Sequence, residues 1–573
     1  MDAWIETLGG LRDTYFYVYI GIMRYLTPAL VLLILLRCAW PLLTFRRMPE
    51  IWGWLCLEDG KRLPITHWEN VIDRSRRSDI VIDDPALARN HAVLTRYDDG
   101  SWTVTDVSGS AGVRVNGQRV RICALEPEDM LELAGIPMTL QPISQRQEQK
   151  LIRLRSPAGG RLGNLFNLFL LTLLQCLICL GYLLAGPGDN GRSILLGFGG
   201  ILACQWCLML FYLFIRRPAF EVETLAFLLC TLGMAAIASV KPWEAGKQCI
   251  AMAMGLAAFL TVGWSLRDLE RAKKFRYLAT VAGVGLLVIT LLFGEEYYGA
   301  KNWLEIGNLT LQPSELSKVF FVYAGASAMD RIMNKRNILG FIVYSVVICG
   351  CLTLMNDLGT ALIFFCAFLI IAFLRSGSVG TVALACTSLG FAGVVALKIA
   401  PRALRRFNAW RHVWEYPLTT GYQQTRALMC IASGGLFGLG VTRGWMKNMF
   451  AADSDVVFAT VSEEWGMVTA LLLVLCVVVL ALFALRSAAM GRSSFYTIGA
   501  CTAGGILVMQ VILNVLGTLD VLPLTGVTFP FLSNGGSSMI CAWGLLAFVK
   551  AADTRQNASF AVRGPRHRWD ADE

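Results

Sequence analysis

The chain has 573 residues, of which 55% are hydrophobic and only 16% charged. A water-soluble domain cannot hide that much apolar surface, so the composition excludes an ordinary soluble enzyme and makes the bilayer the solvent. The net charge of +10 then points to basic cytoplasmic loops, and no basic face with interleaved aromatics argues for nucleic acid.

The N-terminus, MDAWIETLGG, is acidic and lacks the basic n-region of a cleaved signal peptide. A first apolar run of spanning length lies within residues 18–45 and ends at Arg46 and Arg47. Residues 48–149 turn polar, enough for one small soluble domain. Short alternating segments there predict an all-β sandwich, with strands at 79–82, 93–97, 101–105, 113–115, 119–122 and 130–133. Asn116-Gly117 between two of them is a tight-hairpin signal, because both central positions need positive φ.

Apolar runs resume at 165–185 and 194–215, and ten more follow at about 220–240, 248–265, 277–293, 314–330, 338–354, 359–374, 379–400, 467–486, 496–518 and 530–550. If the first run crosses from outside to inside, the cytoplasm receives Arg46, Arg47, the Arg-rich linker 150–161, Arg216, Arg217, Arg375 and Arg486. The polar domain and the C-terminal tail are then cytoplasmic. Residues 401–464 form a long outer segment carrying Arg402, Arg405, Arg406, Arg411, Arg426, Arg443 and Lys447. They read either as tolerated charge or as a cationic basin for an anionic ligand. Most of the 17 cysteines fall inside apolar runs and read as buried free thiols, the Cys204–Cys207 pair included.

In the polar domain, Ile72-Asp73-Arg74-Ser75, Asp79-Ile80-Val81-Ile82, Ala88-Arg89-Asn90-His91-Ala92, residues 102–106 and Val115-Asn116-Gly117 resemble the forkhead-associated (FHA) domain. The resemblance implies phosphothreonine-peptide binding, with Arg74 facing phosphate, Arg89 and Asn116 beside it, and His91 structural. Asp73, Ala88 and Ala111 replace the glycine, serine and asparagine usual in that family.

Residues 220–551 resemble the SEDS family (FtsW/RodA/SpoVE). The motifs run Gly299-Ala300-Lys301-Asn302-Trp303, Gln312-Pro313-Ser314-Glu315-Leu316-Ser317-Lys318, Asp357-Leu358-Gly359-Thr360, Gly421-Tyr422-Gln423, Ser433-Gly434-Gly435, Ser454-Asp455-Val456, Glu463-Glu464 and Pro530-Phe531-Leu532-Ser533-Asn534-Gly535-Gly536-Ser537. Asn302 stands where the family usually has arginine, Met355-Asn356 where it has Gln-Pro, and Asn534 where it often has tyrosine.

The resemblances together imply a mainly α polytopic membrane protein with about ten transmembrane helices plus about three N-terminal ones, and an inserted all-β FHA-like sandwich. The expected division is 1–47, one transmembrane helix; 48–146, sandwich; 147–162, basic linker; 163–217, two helices; 218–551, SEDS glycosyltransferase domain; 552–573, cytoplasmic tail.

The implied activity is an inverting peptidoglycan glycosyltransferase that polymerises lipid II at the outer face of the plasma membrane, in division, elongation or sporulation. Asp455 is the expected general base. Lys318, Arg406 and Lys301 are expected to hold the diphosphate, and Gln312, Glu315, Tyr422 and Gln423 to line the site. Asp453 is expected to modulate charge, and Glu463 and Glu464 to support packing or a cation. No cofactor is required by the sequence, and a divalent cation (Mg or Mn) is compatible with it. A class B penicillin-binding protein, membrane lipids and a phosphothreonine protein are the expected partners. The alternatives are a lipid-linked precursor flippase, or a non-catalytic membrane scaffold recruiting division proteins through the FHA-like domain.

Overall fold

The computed structural model describes residues 2–45, 51–74, 78–88, 91–96, 100–108, 112–144, 146–147, 160–186, 188–267, 269–297, 300–306, 309–328, 335–376, 378–399, 401–489, 493–555 and 558–559. Arg46, Arg47, Arg89, Asn90, Ala111 and most of the basic linker lie outside them.

Helix α1 (Asp2–Leu43) leads into eleven strands: β1 (Gly53–Leu57), β2 (Arg62–Ile65), β3 (Glu69–Asp73), β4 (Ile80–Val81), β5 (Ala92–Arg96), β6 (Trp102–Asp106), β7 (Val113–Val115), β8 (Gln118–Val120), β9 (Ile122–Leu125), β10 (Met130–Leu133) and β11 (Ile136–Pro142). They form two sheets, ordered β2-β1-β11-β10-β7-β8 and β4-β3-β5-β6-β9. Alternate residues such as Leu55, Leu94, Val104, Leu131 and Leu140 meet between the sheets in one apolar core. Asn116 and Gly117 take φ of 52° and 80° in the β7–β8 hairpin, as the sequence requires. The single strand expected at 119–122 is instead divided at Arg121, because β8 pairs with β7 while β9 crosses to pair with β6 in the other sheet.

The rest is helical. In order come α2 (Arg161–Leu184), α3 (Gly191–Phe214), α4 (Glu221–Val240), α5 (Ala245–Leu266), α6 (Leu269–Phe293), α7 (Pro313–Ala328), α8 (Lys335–Leu354), α9 (Leu358–Ser376), α10 (Val379–Ile399), α11 (Pro401–Ala409), α12 (Tyr422–Gly434), α13 (Val457–Ala488), α14 (Ser494–Thr518) and α15 (Gly536–Ala551). Each of the thirteen apolar runs overlaps a helix, the last only from Gly536 onward. Among the described residues nine helices are long and apolar enough to cross a membrane, and 339–354 and 536–551 are shorter apolar helices. The bundle centres on α4, which is enclosed along almost its whole length by α1, α2, α3 and α13.

Two features depart from simple spans. A small antiparallel sheet, β12 (Glu295–Tyr297), β13 (Ala300–Ile306) and β14 (Leu309–Leu311), bridges α6 and α7. The long segment 401–464 is itself folded, and α13 breaks at Gly466, whose φ of 86° separates a half-helix 457–465 from the spanning part. A side chain at Gly466 would collide with the Leu436 carbonyl, so only glycine fits that crossing.

The sandwich sits at one end of the bundle. Arg486, in the last turn of α13, donates to the Leu43 and Phe45 carbonyls where α1 ends. His67, Glu69 and Asp79 share a crevice with Arg375, Ser493 and Thr497. At the same end, the Lys550–Glu223 pair (3.0 Å) and the Arg555–Glu221 and Arg555–Asp553 pairs (3.3 and 2.7 Å) are wholly buried. Buried charges persist only when paired, and these tie the C-terminal segment to α4. Asp455, just before α13 starts, is at the opposite end.

Candidate active site

At that opposite end lies a polar cavity of about 760 Å³. The starts of α7, α9, α13 and α15 all open onto it, through Gln312 and Glu315, Asp357 and Thr360, Asp455, and Ser537 and Ser538. Free backbone N–H groups at helix starts carry partial positive charge, which favours an anionic ligand. Lys241 and Lys247 add full positive charge on one wall and Arg406 on another.

Asp455 is half-buried. Its backbone is fixed by Asn514 on α14, whose amide donates to the Asp455 and Val527 carbonyls, both at 2.8 Å. Ser533 likewise donates to the Ser454 carbonyl at 2.7 Å. Burial pushes the Asp455 carboxyl up to about 6; Arg406 and a Ser454 hydrogen bond pull it down, while Asp453 and Asp357 push it further up. A carboxylate of that basicity suits proton abstraction near neutral pH. Arg406 stands exposed at the mouth, donating to the Leu524 carbonyl at 3.3 Å.

Of the neighbouring acids, Asp453 and Glu315 are held through one oxygen each and Asp357 through both. Asp453 pairs with Lys241 at 3.2 Å and accepts from the Asn534 amide at 2.7 Å, both through Oδ2. Asp357 caps α9 by accepting from the Thr360 N–H at 3.0 Å and accepts from the Asn302 amide at 2.9 Å. Burial raises its pKa, and the Thr360 contacts oppose the rise. Glu315 gives Oε1 to Lys318 at 2.6 Å. The remaining atoms Asp453 Oδ1, Glu315 Oε2, Asn302 Oδ1 and Thr525 Oγ1 are buried in the cavity wall without a hydrogen-bond partner among the described residues. Such acceptors are costly to bury and favour a ligand rich in O–H and N–H donors.

Of the residues expected from sequence, Asp455, Arg406, Gln312 and Glu315 therefore share one cavity. The other four stand elsewhere. Lys318 is fully buried in its ion pair with Glu315, one turn away on α7. Lys301 turns from the cavity and donates to the Leu291 carbonyl at 2.8 Å, closing the end of α6. Tyr422 packs under Arg426, and Gln423 bonds the Phe450 carbonyl at 3.2 Å. The expected basin likewise narrows: Arg406 lines the cavity, whereas Arg411 and Arg443 lie over Trp410 and Tyr17, and Lys447 bonds the Thr442 carbonyl. Lys241 and Thr525 are not singled out by the sequence, and Asn302 enters it only as a departure from the family motif, with no site role. Lys241 has a signal, as a charge between two apolar runs.

Glu463 and Glu464 point away from the cavity. Glu463 accepts from the Trp445 and Met446 N–H groups at 2.9 and 2.8 Å, and Glu464 from Tyr182 at 3.1 Å and from Ser239. Among the described residues no group of three or more His, Cys, Asp or Glu side chains converges as a metal cage.

In the sandwich, Arg74 is exposed at the end of β3. Asn116 is committed to its turn, donating to Asp129 at 2.7 Å and accepting from the Met130 N–H at 2.9 Å. His91 accepts from the Ala88 N–H through Nδ1 and so donates from Nε2 to the Gly112 carbonyl, each at 3.2 Å, pinning two loops.

Fold and site define a multi-pass membrane protein with an acid-lined, cation-flanked cavity at the end of its bundle remote from a β-sandwich. The chain belongs to the FtsW/RodA/SpoVE family of cell cycle proteins, whose family model matches residues 224–558. The FHA domain model matches residues 71–134. The peptidoglycan glycosyltransferase RodA of Mycobacterium tuberculosis is 29% identical over 327 residues, covering 53% of this chain and 69% of its own. FtsW of Escherichia coli is 32% identical over 313 residues, covering 51% of this chain and 74% of its own. Among solved structures, the Thermus thermophilus rod shape determining protein RodA aligns at 24% identity with a TM-score of 0.43, covering 58% of this chain and 94% of that one.

Proposed function

We propose that this protein is a peptidoglycan glycosyltransferase that polymerises lipid II by inverting glycosyl transfer, with Asp455 as general base. The observation that carries the reading is that Asp455 and Arg406 line one cavity, with a base of pKa about 6 beside a cation. Asp455 takes the proton from the acceptor sugar's hydroxyl as its oxygen forms a bond to C1 of the lipid-linked donor. The C1–O bond to the diphosphate breaks, and the polyprenyl diphosphate leaves with the electron pair. Arg406, with the four helix starts, stabilises the negative charge that develops on the leaving group. Lys318 holds Glu315 so that its free oxygen, with Asn302 Oδ1, meets sugar hydroxyl and amide donors. Among the described residues no three His, Cys, Asp or Glu side chains converge, so a divalent cation would depend on the diphosphate for part of its coordination.

The sidedness follows from charge. Arg216, Arg217, Arg267, Arg375 and Arg486 cluster at the sandwich end, which supports a cytoplasmic sandwich and a cavity facing outside. A class B penicillin-binding protein docking through membrane helices, and a phosphothreonine peptide at Arg74, are the partners that fit this arrangement. The test is reconstitution with lipid II. Wild type should yield glycan chains, and Asp455→Asn and Asp455→Ala none; polymer from both variants would remove the assignment.

A further inference from the structure

Helices α1 and α2 precede residue 224, where the family match begins, yet they grip the segment that carries Asp455. The break at Gly466 means that the half-helix 457–465 is not held by continuity with the spanning part of α13. It must be held from the side. On the core side, Ser239 of α4 donates to Glu464. On the other side, Tyr182 of α2 donates to the same carboxylate at 3.1 Å, and both groups are fully buried.

A second set of contacts reaches the half-helix through residues 437–443. The Leu439 and Gly440 N–H groups donate to the Glu463 and Glu464 carbonyls at 2.8 and 3.0 Å. Helix α1 clasps this loop from outside. Tyr25 meets Phe437 with ring centroids 4.9 Å apart, Ile20 seats against Gly440 where a side chain would collide, and the Arg443 guanidinium lies 4.4 Å over the Tyr17 ring.

We propose that α1 and α2 are positioning elements for Asp455, acting through the half-helix 457–465, with the Tyr182–Glu464 hydrogen bond as the contact that sets its orientation. The proposal rests on Asp455 as the base. Glu464 lies nine residues beyond Asp455, so a small rotation of the half-helix at that bond displaces the carboxylate at its start. Small misplacements of a reacting group are expensive in rate. From Tyr17 to Leu43, α1 runs about 40 Å, so one helix joins this clasp to the sandwich.

The experiment uses the full-length protein in liposomes with lipid II as the probe substrate. Tyr182→Phe should lower kcat roughly ten- to hundredfold, with KM and thermal midpoint close to wild type. Glu464→Gln, which keeps an oxygen for the phenol to donate to, should retain kcat. Tyr25→Ala on α1 should lower kcat in the same sense. Wild-type kcat in either Tyr182→Phe or Tyr25→Ala, or a loss that tracks the thermal midpoint or KM, overturns the proposal. Asp455→Asn run alongside separates the two readings. Full activity there removes the base itself, whereas an inactive Asp455→Asn with an unimpaired Tyr182→Phe removes only the brace.

Discussion

Asn302 donates its side-chain amide to Asp357 across 2.9 Å, joining strand β13 to the first turn of α9. That bond fixes which way the amide faces: its nitrogen is engaged with Asp357, and its carbonyl oxygen is left buried in the cavity wall without a hydrogen-bond partner among the described residues. The Asp357 carboxylate, which already caps α9 through its other oxygen, is thereby hydrogen-bonded at both oxygens.

Asn302→Leu removes this partner while keeping a side chain branched at the same carbon. The expected cost is about 1–3 kcal/mol of stability, as for a buried group left unsatisfied. It should appear as a lower thermal midpoint in detergent. With that unpartnered acceptor gone from the cavity wall, KM for the lipid-linked sugar should rise roughly tenfold, the equivalent of about 1.4 kcal/mol. Steady-state kinetics on the same preparation checks both.

The pH dependence follows from Asp455. As the proposed base, Asp455 must be ionised, so kcat/KM should climb as pH rises through about 6 and level off above it. The stability trend runs the other way. Because burial raises this carboxyl in the folded state, its ionisation opposes folding, and that penalty grows from the ordinary carboxylate range up through about 6. Asp455→Asn should therefore be inactive yet more heat-stable than wild type. Its gain should be larger at pH 8 than at pH 5, where the native carboxyl is mostly protonated. Equal gains at both would contradict the raised value.

Arg406 pulls the Asp455 carboxyl down against burial. Replacing it with Gln should shift the acid limb of the pH–rate profile upward. It should also lower the plateau by roughly 10²-fold or more, the usual cost of losing a group that stabilises developing charge. Arg406→Lys should restore much of the acid limb but less of the plateau, because a point charge cannot grip two phosphate oxygens at once. An unmoved limb in Arg406→Gln would show that the two groups are uncoupled.

Lys318 is a different kind of cation. Fully buried and 2.6 Å from Glu315, it should act through folding. Lys318→Met leaves a buried carboxylate unpaired and should cost about 3–5 kcal/mol. Lys318→Met combined with Glu315→Gln should recover most of that stability. A double-mutant cycle on thermal or chemical denaturation measures the coupling. Coupling near zero would mean that Lys318 reaches a ligand instead.

What was legible in the sequence was what local chemistry dictates. Thirteen apolar runs became helices because a chain in hydrocarbon must satisfy its backbone internally. Asn116-Gly117 became a tight hairpin because positive φ is cheap there. The sheet β12–β14 was missed because β12 and β14 are three residues each, too short to show a period of two, and β13 is interrupted by Lys301 and Glu305.

The site divided along the same line. The order of the motifs pointed to Asp455, Gln312 and Glu315, and the fold brings these three to one cavity. Which cations face Asp455 was decided only by folding. Lys301, Lys318 and Arg406 are equivalent as letters, but the first closes the end of α6, the second is spent on Glu315, and the third is left at the cavity mouth. The grip of Tyr182 on Glu464 spans 282 residues of chain and no local pattern encodes it. Sequence sets what each segment can form; long-range packing sets which side chains remain to do chemistry.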